Sequence, residues 1–203
     1  MSAHSGLRDA IPPQLRQLGG TDLKRLHRDW KRRPHPRLAL LLENVASPFN
    51  IGSIVRTAAA FAVDRLYVVG RGDELNNSKM QKIALGTERF LSWEYYASAG
   101  EALGAACAEG FSLVALELTA GAVALHETDL DRDICLVVGH EDRGVTPATL
   151  AGCELAAFIP QLGKVASLNV ASATAIGCAE ARRQSWQGSR SAELPVEPDR
   201  PAG

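Results

Sequence analysis

From residue 37 onward the chain alternates between two hydrophobic rhythms. RLALLLENV is an unbroken apolar run, which suits a strand buried on both faces, and FNIGSIVRTAAAFAV repeats its apolar positions at helical spacing. RLYVVG is a second buried strand, so the chain opens β-α-β and predicts a parallel sheet in an α/β domain. NNSKMQKIALG then predicts a short helix, FLSWEYY a strand or extended edge, AGEALGAACAEG an Ala-rich helix stopped by Gly110, and FSLVALEL a strand. In the second half DICLVVG and LAAFIP predict strands, separated by a short helix, TPATLAGC, with Thr146 as N-cap and Pro147 at its first position. NVASATAIGCAEARRQ predicts a closing helix of small residues, for which Ser167 is the expected N-cap. Ahead of the core, TDLKRLHRDWKRR predicts a helix capped by Thr21 that places Leu23, Leu26 and Trp30 on one face; Pro34 and Pro36 end it.

Length and composition agree with one ordinary domain. The 203 residues are 46% apolar, enough for a real core, and no internal repeat occurs. The boundaries expected are a basic N-terminal extension over 1–36, the α/β domain over 37–186, and a flexible Pro-, Ser- and charge-rich tail over 187–203. No apolar run approaches a membrane span, and the first residues lack the apolar core of a signal peptide, which predicts a cytoplasmic protein with no membrane partner. Cys107, Cys135, Cys153 and Cys178 are scattered without a CxxC pair; they suggest neither a zinc site nor a disulfide framework and read as small buried hydrophobes.

Charge changes the picture more than composition does. Residues 1–37 hold nine Lys and Arg against Asp9, Asp22 and Asp29, a surplus of +6, which leaves −7 on the rest of a chain whose net charge is −1. A polyanion-binding arm on a mildly acidic body has this pattern, and so does a solvated basic helix.

Candidate chemistry gathers in three loops after strand ends, where open parallel sheets bind ligands. The first, ENVASPFNIGSIVR, places Asn44 and Asn50 in a loop and Arg56 further along the helix, on a face otherwise built from Ile51, Ile54 and Val55. Two readings of Arg56 stand side by side: a guanidinium that snorkels to solvent, and one that points back over the strand ends to hold a phosphate. The second, VVGHEDRGV, packs Gly139, His140, Glu141, Asp142, Arg143 and Gly144 together; adjacent His140 and Glu141 are expected to diverge, which argues against a metal. A polar surface turn is the plain alternative. The third, GKVASLNVASATA, invites a phosphate-loop reading at Gly163-Lys164 that fails, because Phe158 and Val165 stand where Gly and Ser or Thr are needed. Asn169 is placed either to bond the helix end or to reach across to another loop, and the small residues around it imply that backbone or a planar ligand comes close. No GxGxxG follows the first strand, which sets a dinucleotide-binding oxidoreductase aside.

Together these loops resemble the three signature motifs of the SPOUT methyltransferases, in the SpoU/TrmH branch that methylates ribose 2′-hydroxyls in RNA. NIGSIVRTAAAFAVDRLYVVG resembles the first, LVVGHEDRGV the second, and IPQLGKVASLNVASATAI the third, so the likeness covers roughly residues 37–184. The resemblance implies a parallel-sheet α/β-knot, with a deep C-terminal trefoil knot, acting as a homodimer whose close packing the small-residue helix from Asn169 to Ala181 would suit. It implies S-adenosylmethionine as cofactor, held around Leu116, Gly139, Ile159, Pro160 and Leu168, and no metal. Arg56, Asn50, Glu141, Ser167 and Asn169 match the active-site positions of the family. Arg56 is expected to anchor phosphate and developing alkoxide rather than to act as a base, since a guanidinium keeps its proton.

The basic arm, with Lys24, Arg25, Arg28, Lys31, Arg32 and Arg33, fits RNA binding. Within the family it resembles, larger members with a separate N-terminal RNA-binding domain act on rRNA and compact ones on tRNA, so the resemblance of a chain with so short an arm implies tRNA over rRNA as substrate. ALGTERFLSW resembles the Ser/Ala-Gly-Ala-x-x-Trp segment of tRNA guanosine-18 enzymes but departs from it at Thr87 and Phe90, so no target nucleotide follows. The alternatives are an rRNA 2′-O-methyltransferase and a non-catalytic knotted RNA-binding protein. Lys164 has two readings, an RNA contact at the rim and a solvated side chain.

Overall fold

A computed structural model describes residues 17–70 and 77–187. Residues 188–203 of the expected tail, and the basic residues Arg8 and Arg16, lie outside the described residues. By contact the chain divides into two units, one holding the described residues 17–33 and the other 34–70 and 77–187.

The first unit is helix α1, Gly20–Lys31, with Gly19 at its N-cap. Thr21, the expected cap, lies inside the helix, so the N-terminus has no side-chain acceptor. Lys24, Arg25, Arg28, Lys31 and Arg32 are exposed, and the Arg33 guanidinium stacks 3.7 Å over the Trp30 ring.

The second unit is built on seven parallel strands: β1 (Leu38–Glu43), β2 (Arg65–Val69), β3 (Trp93–Tyr96), β4 (Ser112–Leu116), β5 (Val123–Ala124), β6 (Ile134–Val138) and β7 (Leu155–Phe158), in the order β3-β2-β1-β6-β4-β7-β5. Two-residue β5 is too short to leave a pattern in the sequence. Around the sheet lie α2 (Pro48–Ala60), α3 (Ser78–Ala84), α4 (Ala99–Ala108), α5 (Pro147–Ala151) and α6 (Val170–Trp186).

The unbroken apolar run of β1 is explained by burial on both faces. Leu38, Leu40 and Leu42 join one core with Ile54 and Cys178, while Ala39 and Leu41 join a second with Ala102 and Ala106 of α4. The small residues of α6 mainly serve this packing. Ala171, Gly177, Cys178 and Ala181 are buried, and a Cβ on Gly177 would stand 3.0 Å from Leu136 Cδ1. Only part of that helix, including Ser172 and Ile176, is left exposed for another partner. Two cysteines depart from expectation, since Cys107 is exposed and Cys153 only half-buried.

Arg182 of α6 is a buried cation that the sequence did not flag. It is 4% exposed and donates to Phe61 O, Pro36 O and Ala62 O at 2.9, 2.7 and 2.8 Å, tying α6 to the end of α2 and the entry of β1. Burial lowers the pKa of its guanidinium, against the pull of Asp64.

Candidate active site

All seven strands run one way, so their C-terminal ends form a single edge and the loops leaving it converge. Because β4 lies between β6 and β7, the segments after these three strands are neighbours, and they enclose a cavity of about 320 Å³. Leu116 and Glu117 wall it after β4, Gly139 to Gly144 after β6, Ile159 after β7, and Ser167 and Leu168 close it ahead of α6. The volume is that of a small-molecule pocket, its lining divided between apolar side chains and a charged stretch at Glu117 and from His140 to Arg143. Leu116, Gly139, Ile159 and Leu168 therefore stand together as expected. Pro160 does not; it lines a separate groove with Ile176 and Arg183.

The loop after β6 is a tight bulb. His140 and Gly144 bond to each other through both backbone pairs, at 3.1 and 2.8 Å. A Cβ on Gly139 would fall 2.1 Å from the Gly144 carbonyl, and Gly144 has φ +65°, so both positions demand glycine. His140 and Glu141 do not diverge. Asp142 N donates to His140 Nδ1, and that nitrogen lies 3.9 Å from Glu141 Oε2, because the two-residue reach of the Asp142 amide turns the ring back over the loop.

Glu141 links this loop to the start of α2. Its carboxylate accepts Ala46 N at 3.1 Å, Ser47 N at 2.9 Å and Asn50 Nδ2 at 2.8 Å. Ser47 is the N-cap of α2 and caps nothing with its own side chain; Glu141, 94 residues away, takes the backbone N–H that a local capping-box carboxylate would take. Asn50 is not in a loop, as the sequence suggested, but in the first turn of that helix. With its Nδ2 committed to the carboxylate, its Oδ1 faces Asn169 and accepts Asn169 Nδ2 at 2.9 Å. Asn169 in turn accepts Ala171 N and Ser172 N at 2.9 and 3.2 Å. It both caps α6 and reaches the other loop.

The result is one polarised chain in which α6 amides donate to Asn169, Asn169 to Asn50, and Asn50 to Glu141. Burial pushes the Glu141 carboxyl up, but the bonds from Asn50 and from the backbone of Glu141, Ser47 and Ala46 outweigh it, so the net pKa is lowered. A carboxylate so engaged is a poor proton acceptor and a good positioning group.

Ser167 lines the cavity without capping α6, the cap having passed to Asn169 two residues on. Its hydroxyl makes no hydrogen bond among the described residues, nor does the exposed guanidinium of Arg56. Arg56 does not share the buried face of Ile51, Ile54 and Val55: it lies one turn after Gly52, whose missing side chain lets α2 approach Met80 O and Ile83 of α3. Lys164 and Leu162 are also exposed.

Two carboxylates were missed in the sequence. Glu43, 2% exposed at the end of β1, accepts Thr146 N, Thr146 Oγ1 and Thr149 Oγ1 at 2.9, 2.7 and 2.6 Å and so pins the far end of the β6 loop. Glu117 accepts Val145 N and Leu118 N at 2.9 and 3.1 Å. An acid ending an otherwise apolar strand is the one signal they share.

Comparison with known proteins bears on the family and the fold. The model of the SpoU rRNA Methylase family matches residues 37–179. The tRNA (guanosine(18)-2′-O)-methyltransferase of Escherichia coli K12 is 32% identical over 152 residues, covering 75% of this chain and 66% of that enzyme, so the chain spans slightly less than two thirds of that relative. Among solved structures, the A. aeolicus TrmH/SpoU tRNA modifying enzyme superposes with a TM-score of 0.70 at 30% identity, covering 83% of this chain and 86% of the other. The SpoU methyltransferase AviRb from Streptomyces viridochromogenes, in complex with the cofactor AdoMet, gives 0.67 at 29% identity, over 77% and 63%.

Proposed function

Since the chain belongs to the SpoU rRNA Methylase family, we propose that it transfers a methyl group from S-adenosylmethionine to a ribose 2′-hydroxyl of RNA, with tRNA its substrate in preference to rRNA. The observation that carries the proposal is the hydrogen-bonded chain from Glu141 through Asn50 to Asn169, set beside the strand-end cavity. It joins the loop after β6, the first turn of α2 and the N-cap of α6, three segments far apart in the chain.

The cavity fits the cofactor. Leu116, Ile159 and Leu168 offer an apolar slot for adenine, and the glycines at 139 and 144 bring backbone to its wall. Leu116, Gly139, Ile159 and Leu168 would hold the cofactor, which would supply an electrophilic methyl on its sulfonium to the ribose 2′-oxygen, the carbon–sulfur bonding pair returning to sulfur and the hydroxyl proton passing to solvent. The chain's own task is alignment and charge. Asn50 and Asn169, fixed by Glu141, shape the rim where ribose would lie. Arg56, exposed and without a protein partner among the described residues, is available to an RNA phosphate and to negative charge developing on the oxygen. Ser167 presents a hydroxyl at the same cavity.

The finer assignments belong to the same reading. Lys24, Arg25, Arg28, Lys31, Arg32 and Arg33 of the basic arm would contact RNA phosphates. The E. coli relative's name supports tRNA as substrate. Phe49, Leu162 and Val165, 63%, 103% and 64% exposed, support a homodimer that covers them. The family resemblance supports a trefoil knot in the segment from β6 to α6 and a cytoplasmic location; among the described residues no helix is long and apolar enough to cross a membrane.

The test is to incubate the full chain with tritiated S-adenosylmethionine and separate tRNA and rRNA pools. Label is expected in tRNA at a ribose, and Arg56→Ala should lose it while cofactor binding persists. Label in rRNA alone would reassign the substrate. No label in either pool, with cofactor bound, would leave an RNA-binding protein without this activity.

A further inference from the structure

Three carboxylates line the cavity, those of Glu117, Glu141 and Asp142, against the single guanidinium of Arg143. Two are accounted for. Glu141 is committed to three donors at the start of α2, and Asp142 is exposed on the outer turn of its loop. Glu117 is different. It sits where β4 ends, between the segments leaving β6 and β7, and the β6 loop is laid directly on it: a Cβ on Gly144 would come within 2.3 Å of Glu117 Oε2. Each of its oxygens takes one backbone donor, Val145 N on Oε2 and Leu118 N on Oε1, and so each keeps further acceptor capacity. Bracing two amides requires acceptors; it does not require a full negative charge in a pocket wall.

We infer that Glu117 makes this pocket selective for a ligand with a net positive charge, so that the cationic methyl donor is held more tightly than the neutral thioether left after transfer. The inference rests on the methyltransferase reading. S-adenosylmethionine carries a sulfonium, an ammonium and a carboxylate, one net positive charge. S-adenosylhomocysteine lacks the sulfonium and is neutral overall. A wall rich in carboxylate distinguishes the two by charge alone, although they share adenosine and nearly all their shape, and losing that attraction on transfer favours product release.

The experiment is calorimetric titration of the full chain with S-adenosylmethionine, S-adenosylhomocysteine and sinefungin, an analogue that replaces the methylsulfonium with a carbon bearing an ammonium. In Glu117→Gln, S-adenosylmethionine and sinefungin should each weaken about tenfold relative to S-adenosylhomocysteine. Glu117→Asp should keep the wild-type ratios. A uniform weakening of all three ligands, or none, would make Glu117 a brace only and overturn the inference. Should the variants fail to fold, the wild type still decides: rising salt should weaken the two cationic ligands and spare the neutral one, and an equal response of all three counts against the idea. A wild-type chain that binds none of them removes the methyltransferase reading itself.

Discussion

At its N-terminal end helix α2 meets a carboxylate, Glu141; at its C-terminal end it meets a guanidinium, Arg182. Each charge complements the helix dipole at its end, and each gathers backbone groups from distant segments: amides for Glu141, carbonyls for Arg182. Both also involve α6, whose N-cap Asn169 reaches α2 and whose later turns carry Arg182. The two sites nevertheless differ in kind. Arg182 is buried and spent on three carbonyls. Glu141 lies at a cavity wall, and its network ends at Asn169, two residues after Ser167, a cavity-lining side chain with no partner among the described residues. One end of the helix is a fastening, whereas the other is a fastening with unused chemistry beside it.

Substitutions should separate the two roles. Arg182→Met, which fills the space but leaves three carbonyls without their donor, should cost about 3 kcal/mol or more in urea unfolding, with Arg182→Lys recovering only part because an ammonium cannot span the same fork. Glu141→Gln should cost about 2 kcal/mol in the same measurement and slow methyl transfer about a hundredfold, since Asn50 and Asn169 lose their anchor.

The pH dependence tells them apart as well. The Glu141 carboxyl titrates lower in the folded chain than unfolded, so its contribution is whole above the unfolded value near 4.3 and is lost as pH falls through the folded one. The stability gap between wild type and Glu141→Gln should thus shrink on acidification below about pH 4, while the gap to Arg182→Met should hold, because the guanidinium stays charged. Asn169→Ala removes a helix cap and one link of the chain and should cost about 1 kcal/mol. Arg56→Ala should change stability by less than about 0.5 kcal/mol while abolishing label transfer; a large unfolding shift there would contradict its exposure.

Much of this molecule is legible without coordinates. Strands β1, β2, β4, β6 and β7 and the helices between them follow from apolar runs and helical spacing, and Thr146 with Pro147 marks the start of α5, where Thr146 accepts Thr149 N. The loops that carry chemistry are also visible, because glycines, asparagines and charges crowd after strands. Boundaries are decided by contacts from outside the element. Ser167 and Asn169 are equally good caps by residue type, and Asn169 prevails because Asn50 fixes its amide from outside the helix. Arg56 shows the limit of counting along a helix: one residue beyond buried Val55, it turns to solvent.

The sequence by itself determined the order of elements, the parallel sheet and the family, since each depends on local propensities, on burial patterns within a few residues, or on motifs read in line. Only the tertiary structure decided the partners: that Glu141 serves α2 from more than 90 residues away, that Arg182 closes a contact across 146, and that Glu43 and Glu117 brace the β6 loop from neighbouring strands. A carboxylate or guanidinium buried among strangers has no pattern in the chain around it. Its free energy is set by the donors and acceptors that folding brings within about 3 Å.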